Sequence, residues 1–138
     1  MINNQLKQKI SDSLSQNVSV VAAYVLGSFA QVNAGAESDF DLAVVVDKKQ
    51  SGIFEKIYEL LKDIQFPKNL DLSVVDHSSS PLFLFQIVSK GVRLYEKNRS
   101  DMVRFEAFVL HNYYDTGHIR AMYAENLKEK FSHTTYVN

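Results

Sequence analysis

The sequence predicts a single α/β domain, also describable as α+β, with a small mixed sheet of three to five strands flanked by helices. Valine-rich runs of strand length alternate with segments in which apolar residues recur at helical spacing. The 138 residues suffice for one compact core, so we expect one domain over residues 1–138. About a dozen residues join the first two strands, which favours an antiparallel pair. A full helix joins the second and third strands, which favours a right-handed parallel crossover.

Each element is predicted from a local pattern. Leu6, Ile10 and Leu14 recur at the spacing of one helix face, and the run VSVVAAYVLG has the composition of a buried strand. Ser80 before Pro81 and Gly91 after Lys90 mark the start and end of a later helix. The predicted elements are a helix over 3–16, a strand over 18–27, a short helix or turn over 28–34, a strand over 39–47, a helix over 53–64, a strand over 69–76, a helix over 79–91, an edge strand over 92–97 and a C-terminal helical region over about 99–130.

The C-terminal region is predicted to form one long helix or a helix pair that breaks at Gly117. We expect its aromatic residues to lie mainly in the core, with any excess available as a face for a partner. These aromatic residues are Phe105, Phe108, Tyr113, Tyr114 and Tyr123.

The composition excludes several classes of function. A net charge of −1, from 15 basic and 16 acidic residues, gives no field that would hold nucleic acid, so no stable direct binding of it is expected. The absence of cysteine excludes disulfides and thiolate metal sites and fits a cytoplasmic protein. The N-terminus has no signal-peptide pattern, and no run approaches the roughly 20 apolar residues that span a bilayer.

The stretch LGSFAQVNAGAESDFDL, residues 26–42, carries the chemistry that we expect. Gly27 and Ser28 follow the first strand, and Asp39 and Asp41 begin the second. If the strands are antiparallel, these two pairs meet at one edge of the sheet. A parallel third strand then begins at the same edge, close to Asp71.

The predicted edge suits a nucleotide with its metal ion. Side chains alternate along a strand, so Asp39 and Asp41 share a face about 6.5 Å apart. Such carboxylates bind one hard cation or bridge two, and Mg²⁺ commonly adds substrate phosphates to its ligands. Glycine lets backbone amides approach a phosphate, and the Ser28 hydroxyl can donate to it. The pattern therefore predicts a site for a nucleoside triphosphate and Mg²⁺, with Asp71 as the third carboxylate.

Two other aspartates lie near the ends of the predicted second and third strands, and each motif also has a plainer explanation. Asp47 lies six residues beyond Asp41, about 20 Å along an extended strand, and Asp76 ends the third strand with the opposite parity to Asp71. Neither can join the site. Taken separately, Gly-Ser after a strand is usually a turn, and Asp-Phe-Asp at a strand start is usually a solvated edge or a cap. The combination at this spacing is what favours a functional site.

These motifs over residues 26–76 resemble those of nucleotidyltransferases of the DNA polymerase β superfamily. More narrowly, the short chain is similar to the minimal nucleotidyltransferases (MNT, MntA type) that serve as antitoxins in HEPN/MNT toxin–antitoxin pairs. The resemblance implies a polymerase-β-like fold with a catalytic core over about 18–76. It also implies that Gly27 and Ser28 hold the triphosphate, that Asp39, Asp41 and Asp71 bind Mg²⁺, and that Asp71 helps to activate the attacking hydroxyl.

The resemblance also implies an activity and a partner. Antitoxins of this type transfer AMP from ATP to a tyrosine of a HEPN ribonuclease toxin and so silence it, which implies a hetero-oligomer with that toxin. Where many relatives have arginine followed by glycine, this chain has Gln31 and Val32. The corresponding phosphate contact is then either missing or supplied from elsewhere, for example by Lys90, Arg93 or Arg99.

Two alternatives remain open at this point. The chain could be a catalytically silent adaptor that neutralises its partner by binding alone, although binding would not need intact carboxylates. It could also be a free-standing small-molecule or tRNA nucleotidyltransferase, which the missing substrate domain and the near-neutral charge disfavour.

Overall fold

The computed structural model describes residues 2–27 and 39–137, with side chains described as far as residue 130. The short helix or turn predicted over 28–34 lies outside these residues. The other predicted elements are confirmed, and the last helix continues to Val137, beyond the expected end near residue 130. The elements are α1 (Asn4–Leu14), β1 (Val20–Leu26), β2 (Phe40–Val46), α2 (Ile53–Leu61), β3 (Leu70–Val75), α3 (Pro81–Lys90), β4 (Val92–Glu96), α4 (Arg99–Asp115) and α5 (Gly117–Val137).

The four described strands form one mixed sheet in the order β3-β2-β1-β4. β1 pairs antiparallel with β2 and with β4, whereas β2 and β3 pair in parallel. The antiparallel first pair and the parallel crossover through α2 are therefore confirmed. As a result, one end of the sheet contains the end of β1 together with the starts of β2, β3 and β4. We call this row of strand ends the site edge.

The sheet is covered by helices on both faces because its inner strands are apolar on both faces. One core cluster joins alternate strand residues, including Leu42 and Val44, to α1 and α2. The other joins the intervening residues, including Ala43 and Val45, to α3 and α4. The result is a three-layer arrangement of helices, sheet and helices.

A partly buried polar contact joins α4 to its face of the sheet. The Tyr24 hydroxyl, on β1, donates to Glu106 Oε2 on α4 at 2.6 Å, and Arg93 Nη2, on β4, donates to the same oxygen at 3.1 Å. Burial, followed by the hydrogen bond to Glu106, raises the pKa of Tyr24, so the hydroxyl stays protonated and remains a donor. This contact joins residues 82 positions apart in the chain.

The joint between α4 and α5 is held by stacked side chains. The Tyr113 ring stacks on Phe85 of α3 at 3.8 Å between centroids, and the Arg120 guanidinium lies 3.6 Å from the centre of the same ring. Arg120 also donates to Thr116 Oγ1 and to the Tyr113 carbonyl, both at 2.6 Å. These contacts set the direction in which α5 leaves the body of the protein. The predicted helix pair with a break near Gly117 is thus confirmed.

The expectation that the C-terminal aromatic residues lie mainly in the core is wrong for three of them. Phe105 is buried, but Phe108, Tyr114 and Tyr123 are 37%, 70% and 66% exposed. α3 and the first part of α4 already cover that face of the sheet, so α5 has little to pack against, and residues 121–130 are all exposed. Within the described part of the chain, no helix is both long enough and apolar enough to cross a bilayer.

Candidate active site

The site edge brings together most of the residues singled out from the sequence. In the sheet, Leu26 is paired with Asp41, and Asp41 is paired with Asp71 on its other side. Gly27, directly after β1, therefore lies next to Asp41 and one strand farther from Asp71. Asp39 immediately precedes β2 and is exposed. Ser28 lies outside the described residues.

Asp41 and Asp71 form a close carboxylate pair on one face of the sheet. They occupy facing positions in the parallel pair, on the face that carries Ala43 and Val45 toward α3 and α4. Partial burial raises the pKa of Asp41, and the hydrogen bond and negative charge of Asp71 and the charge of Asp39 raise it further. Without a cation, Asp41 therefore loses its proton at a higher pH than an isolated aspartate does.

Gly27 closely approaches the Asp41 carboxylate, whereas the approach to a phosphate that the sequence predicted for it stays a prediction. Its φ angle of +68° is in the left-handed region, where glycine is unstrained. A Cβ atom added there would lie 2.8 Å from Asp41 Oδ2, closer than carbon and oxygen normally come. A side chain at this position would thus collide with the Asp41 carboxylate, and glycine avoids the collision.

The donor set fits a hard divalent cation, although it is not gathered into a complete metal site. Among the described side chains, no three histidine, cysteine, aspartate or glutamate residues lie close enough to hold a metal ion together. Asp41 and Asp71 are a pair, with Asp39 near enough for its charge to raise the pKa of Asp41. Two carboxylates with substrate phosphates and water suit Mg²⁺, which rarely relies on protein ligands alone. The three-carboxylate site stays a prediction.

The two excluded aspartates lie at the opposite end of the sheet. Asp76 follows β3 and accepts hydrogen bonds from the Ser78 amide and hydroxyl at 2.9 and 2.6 Å, and from the Lys49 amide at 2.8 Å. Asp47 follows β2 and accepts from the Lys48 amide at 2.7 Å. Both serve the local backbone, so their exclusion from the site is confirmed.

The chain belongs to the family described as "Polymerase beta, Nucleotidyltransferase", whose sequence profile matches residues 8–100. That range contains the four-stranded sheet and both residues of the carboxylate pair, Asp41 and Asp71. It therefore assigns the chain to the nucleotidyltransferases, the class that the site edge suggested. None of the curated proteins matches the sequence.

Solved structures with the same fold include several toxin–antitoxin proteins. A toxin–antitoxin structure with AMP-PNP is 22% identical, with a TM-score of 0.68 over 88% of this chain and 98% of that chain. A complex of tri-AMPylated Shewanella oneidensis HEPN toxin with MNT antitoxin contains a chain that is 19% identical, with a TM-score of 0.66 over 92% of this chain and 99% of the other. A mutant MntA-HpeT toxin–antitoxin is 20% identical, with a TM-score of 0.67 over 92% and 99%. The likeness thus extends over nearly the whole of each chain.

Proposed function

We propose that this protein is an antitoxin that transfers AMP from ATP to a tyrosine hydroxyl of a cognate HEPN ribonuclease toxin and thereby neutralises it. The observation that carries the proposal is the Asp41–Asp71 pair beside Gly27 at one sheet edge, in a chain of the nucleotidyltransferase family. Support for the partner comes from fold neighbours that are described as toxin–antitoxin structures, one with AMP-PNP and one with an AMPylated toxin.

The proposed reaction is an in-line displacement at the α-phosphate. The tyrosine oxygen forms a bond to the α-phosphorus, the bond to the bridging oxygen of the β-phosphate breaks, and pyrophosphate leaves. Asp71 accepts the proton of the attacking hydroxyl, while Asp39 and Asp41 hold the cation. A magnesium ion bound there would supply positive charge to the phosphate oxygens.

The remaining residues of the site orient the substrate. The Gly27 backbone and the Ser28 hydroxyl would donate to phosphate oxygens, and the lack of a side chain at Gly27 would let the phosphates approach its backbone. No protein nucleophile is needed, because positioning and charge stabilisation supply most of the catalysis in phosphoryl transfer. Each residue of the site thus has a defined role in binding, orientation or proton transfer.

The exposed apolar side chains of α5 support a protein partner. Ile119, Met122, Tyr123 and Leu127 are 57%, 65%, 66% and 39% exposed and recur at the spacing of one helix face. Monomeric proteins seldom leave such a face uncovered, so it offers a surface for the toxin. The same feature also favours the second candidate, an adaptor that neutralises its partner by binding alone.

Mass spectrometry separates the two candidates. The protein is incubated with ATP, Mg²⁺ and a candidate HEPN partner, and the mass of the partner is then measured. AMP transfer predicts a mass increase of one or more adenylate units that is lost in Asp39→Asn and Asp41→Asn, whereas Asp47→Asn at the far end of β2 keeps it. Inhibition of the toxin without any mass increase, preserved in the same variants, would support the adaptor. ATP consumption without either effect would indicate a small-molecule nucleotidyltransferase.

A further inference from the structure

The proposed site lacks positive charge where the terminal phosphates of ATP would lie. Asp39, Asp41 and Asp71 place negative charge at the β2 and β3 positions of the site edge, and a triphosphate adds more. A cation held by the carboxylates offsets the charge only at their own end. Binding of the terminal phosphates therefore calls for a basic side chain farther along the edge.

The order of the strands shows where such a side chain is needed. Along the site edge the order is Asp71 on β3, Asp41 on β2, Gly27 after β1, and then the start of β4. Neighbouring strands lie about 4.8 Å apart, so the start of β4 is about 10 Å from the Asp41 position. A triphosphate with its α-phosphate at the carboxylates and its chain across Gly27 would extend its terminal phosphates toward β4.

Lys90 is the last residue of α3 and lies at that end of the edge. The next residue, Gly91, packs so closely on β1 that an added Cβ would lie 2.9 Å from Leu26 Cδ2 and 3.1 Å from Tyr24 Cβ. Leu26 directly precedes Gly27, so the C-terminal end of α3, with Lys90, lies near the end of β1 that leads into Gly27. α3 also covers the same face of the sheet that carries Asp41 and Asp71.

The charge of Lys90 is available, unlike those of the two nearby arginines. Lys90 is exposed and forms no ion pair within the described part of the chain. Arg93 is committed to Glu106. Arg99 pairs with Glu96 at 3.1 Å, and Glu96 is opposite Ala22, far along β1 from the site edge. Of the three basic residues that the sequence suggested for a phosphate contact, only Lys90 both lies at the site edge and has a charge that is not paired with a carboxylate in the described part of the chain.

We propose that Lys90 binds the terminal phosphates of ATP by donating hydrogen bonds to their oxygens, an assignment that rests on the proposed function. The plainer explanation is that Lys90 only complements the negative end of the α3 dipole. The two explanations differ in their consequences for ligands. A phosphate contact discriminates between ATP and AMP, whereas a dipole contact changes the stability of the helix and treats both nucleotides alike.

The test measures the affinity of the full chain for ATP and for AMP by calorimetry in the presence of Mg²⁺. Lys90→Ala should weaken ATP binding by about tenfold to a hundredfold and leave AMP binding within about twofold, because only ATP carries the contacted phosphates. Lys90→Arg should retain most of the affinity for ATP. Lys68→Ala is the matched control, since Lys68 is exposed near the start of β3 but lines a separate cavity beside α2, and it should leave both affinities unchanged.

Each outcome of this test either supports the assignment of Lys90 or overturns it. Unchanged ATP affinity in Lys90→Ala, an equal loss in Lys68→Ala, or an equal loss for ATP and AMP would overturn the assignment and leave the proposed function standing. Failure of the unmodified chain to bind ATP would overturn both. Thermal unfolding of each variant shows whether it is folded, and the Lys90→Arg result distinguishes a lost charge from a lost fold.

Discussion

Neutralising Asp41 should make the metal-free protein more stable. In Asp41→Asn, the side chain keeps its shape and gains an amide that can donate to Asp71, while the repulsion between the paired carboxylates disappears. At about 4 Å, two unit charges repel by about 1 kcal/mol in water and about 4 kcal/mol at an effective dielectric constant of 20. Asp41 is partly exposed, so the smaller value applies, and we expect the free energy of unfolding to rise by about 1 kcal/mol.

The pH dependence identifies the cause of this gain. The pKa of Asp41 is raised in the folded protein, so the folded state holds the proton more tightly than the unfolded state does. The ionised group therefore destabilises the fold, and this cost develops as the pH rises from about 4, the ordinary value for aspartate, through the folded pKa. The advantage of Asp41→Asn should be complete at pH 7 and absent at pH 3.5.

Thermal unfolding in a chelating buffer measures both effects. A gain of about 1 kcal/mol corresponds to a rise in Tm of about 3–4 °C for a domain of this size. Asp47→Asn is the control, because it removes the same charge at the other end of β2 and should shift Tm by far less. Added Mg²⁺ should stabilise the unmodified protein and remove the advantage of the variant. A Tm at pH 7 that is equal to or lower than that of the unmodified protein would refute the reasoning.

Two further substitutions test the local geometry. Gly27→Ala should lower the free energy of unfolding by about 1–2 kcal/mol and abolish ATP binding, because its Cβ would meet Asp41 Oδ2 at 2.8 Å as well as straining φ. Gly52→Ala, with a φ of +82° and nothing within 4 Å of the added atom, isolates the strain and should leave ATP binding intact. Tyr24→Phe should cost about 1 kcal/mol in urea unfolding, since it leaves the partly buried Glu106 carboxylate short of a donor, whereas Tyr58→Phe on the surface should cost little. Equal effects in either pair would contradict these explanations.

The sheet and its edge could be predicted because short-range patterns determine them. Apolar runs of strand length identified β1, β2 and β3, and the lengths of the connections between them indicated which pairs are antiparallel and which parallel. That was enough to bring Gly27, Asp41 and Asp71 together. The same reasoning could not give the positive φ of Gly27, which depends on the exact path of the chain out of β1.

Contacts between residues far apart in the chain could not be predicted from local sequence patterns. Nothing local signals that Tyr24 and Glu106 will meet, since 82 positions separate them and each is unremarkable in its own segment. The aromatic residues of α4 and α5 were misplaced for a related reason. Helical periodicity shows which residues share a face of a helix. Whether that face is covered depends on how much of the sheet is still free to pack against it. Here α3 and Phe105 of α4 already cover that face of the sheet.

The alternation of β3 ties the acidic pair to the integrity of the core. Leu70, Leu72 and Val74 pack toward α1 and α2, and the intervening Asp71 necessarily points the other way, beside Asp41. A one-residue slip of β3 would turn Asp71 into the apolar layer and bring the leucines to the opposite face. Insertions in the connection after α2 can therefore be absorbed as surface loop without changing the pair, whereas a change within the strand would disturb hydrophobic packing and carboxylate placement in a single step.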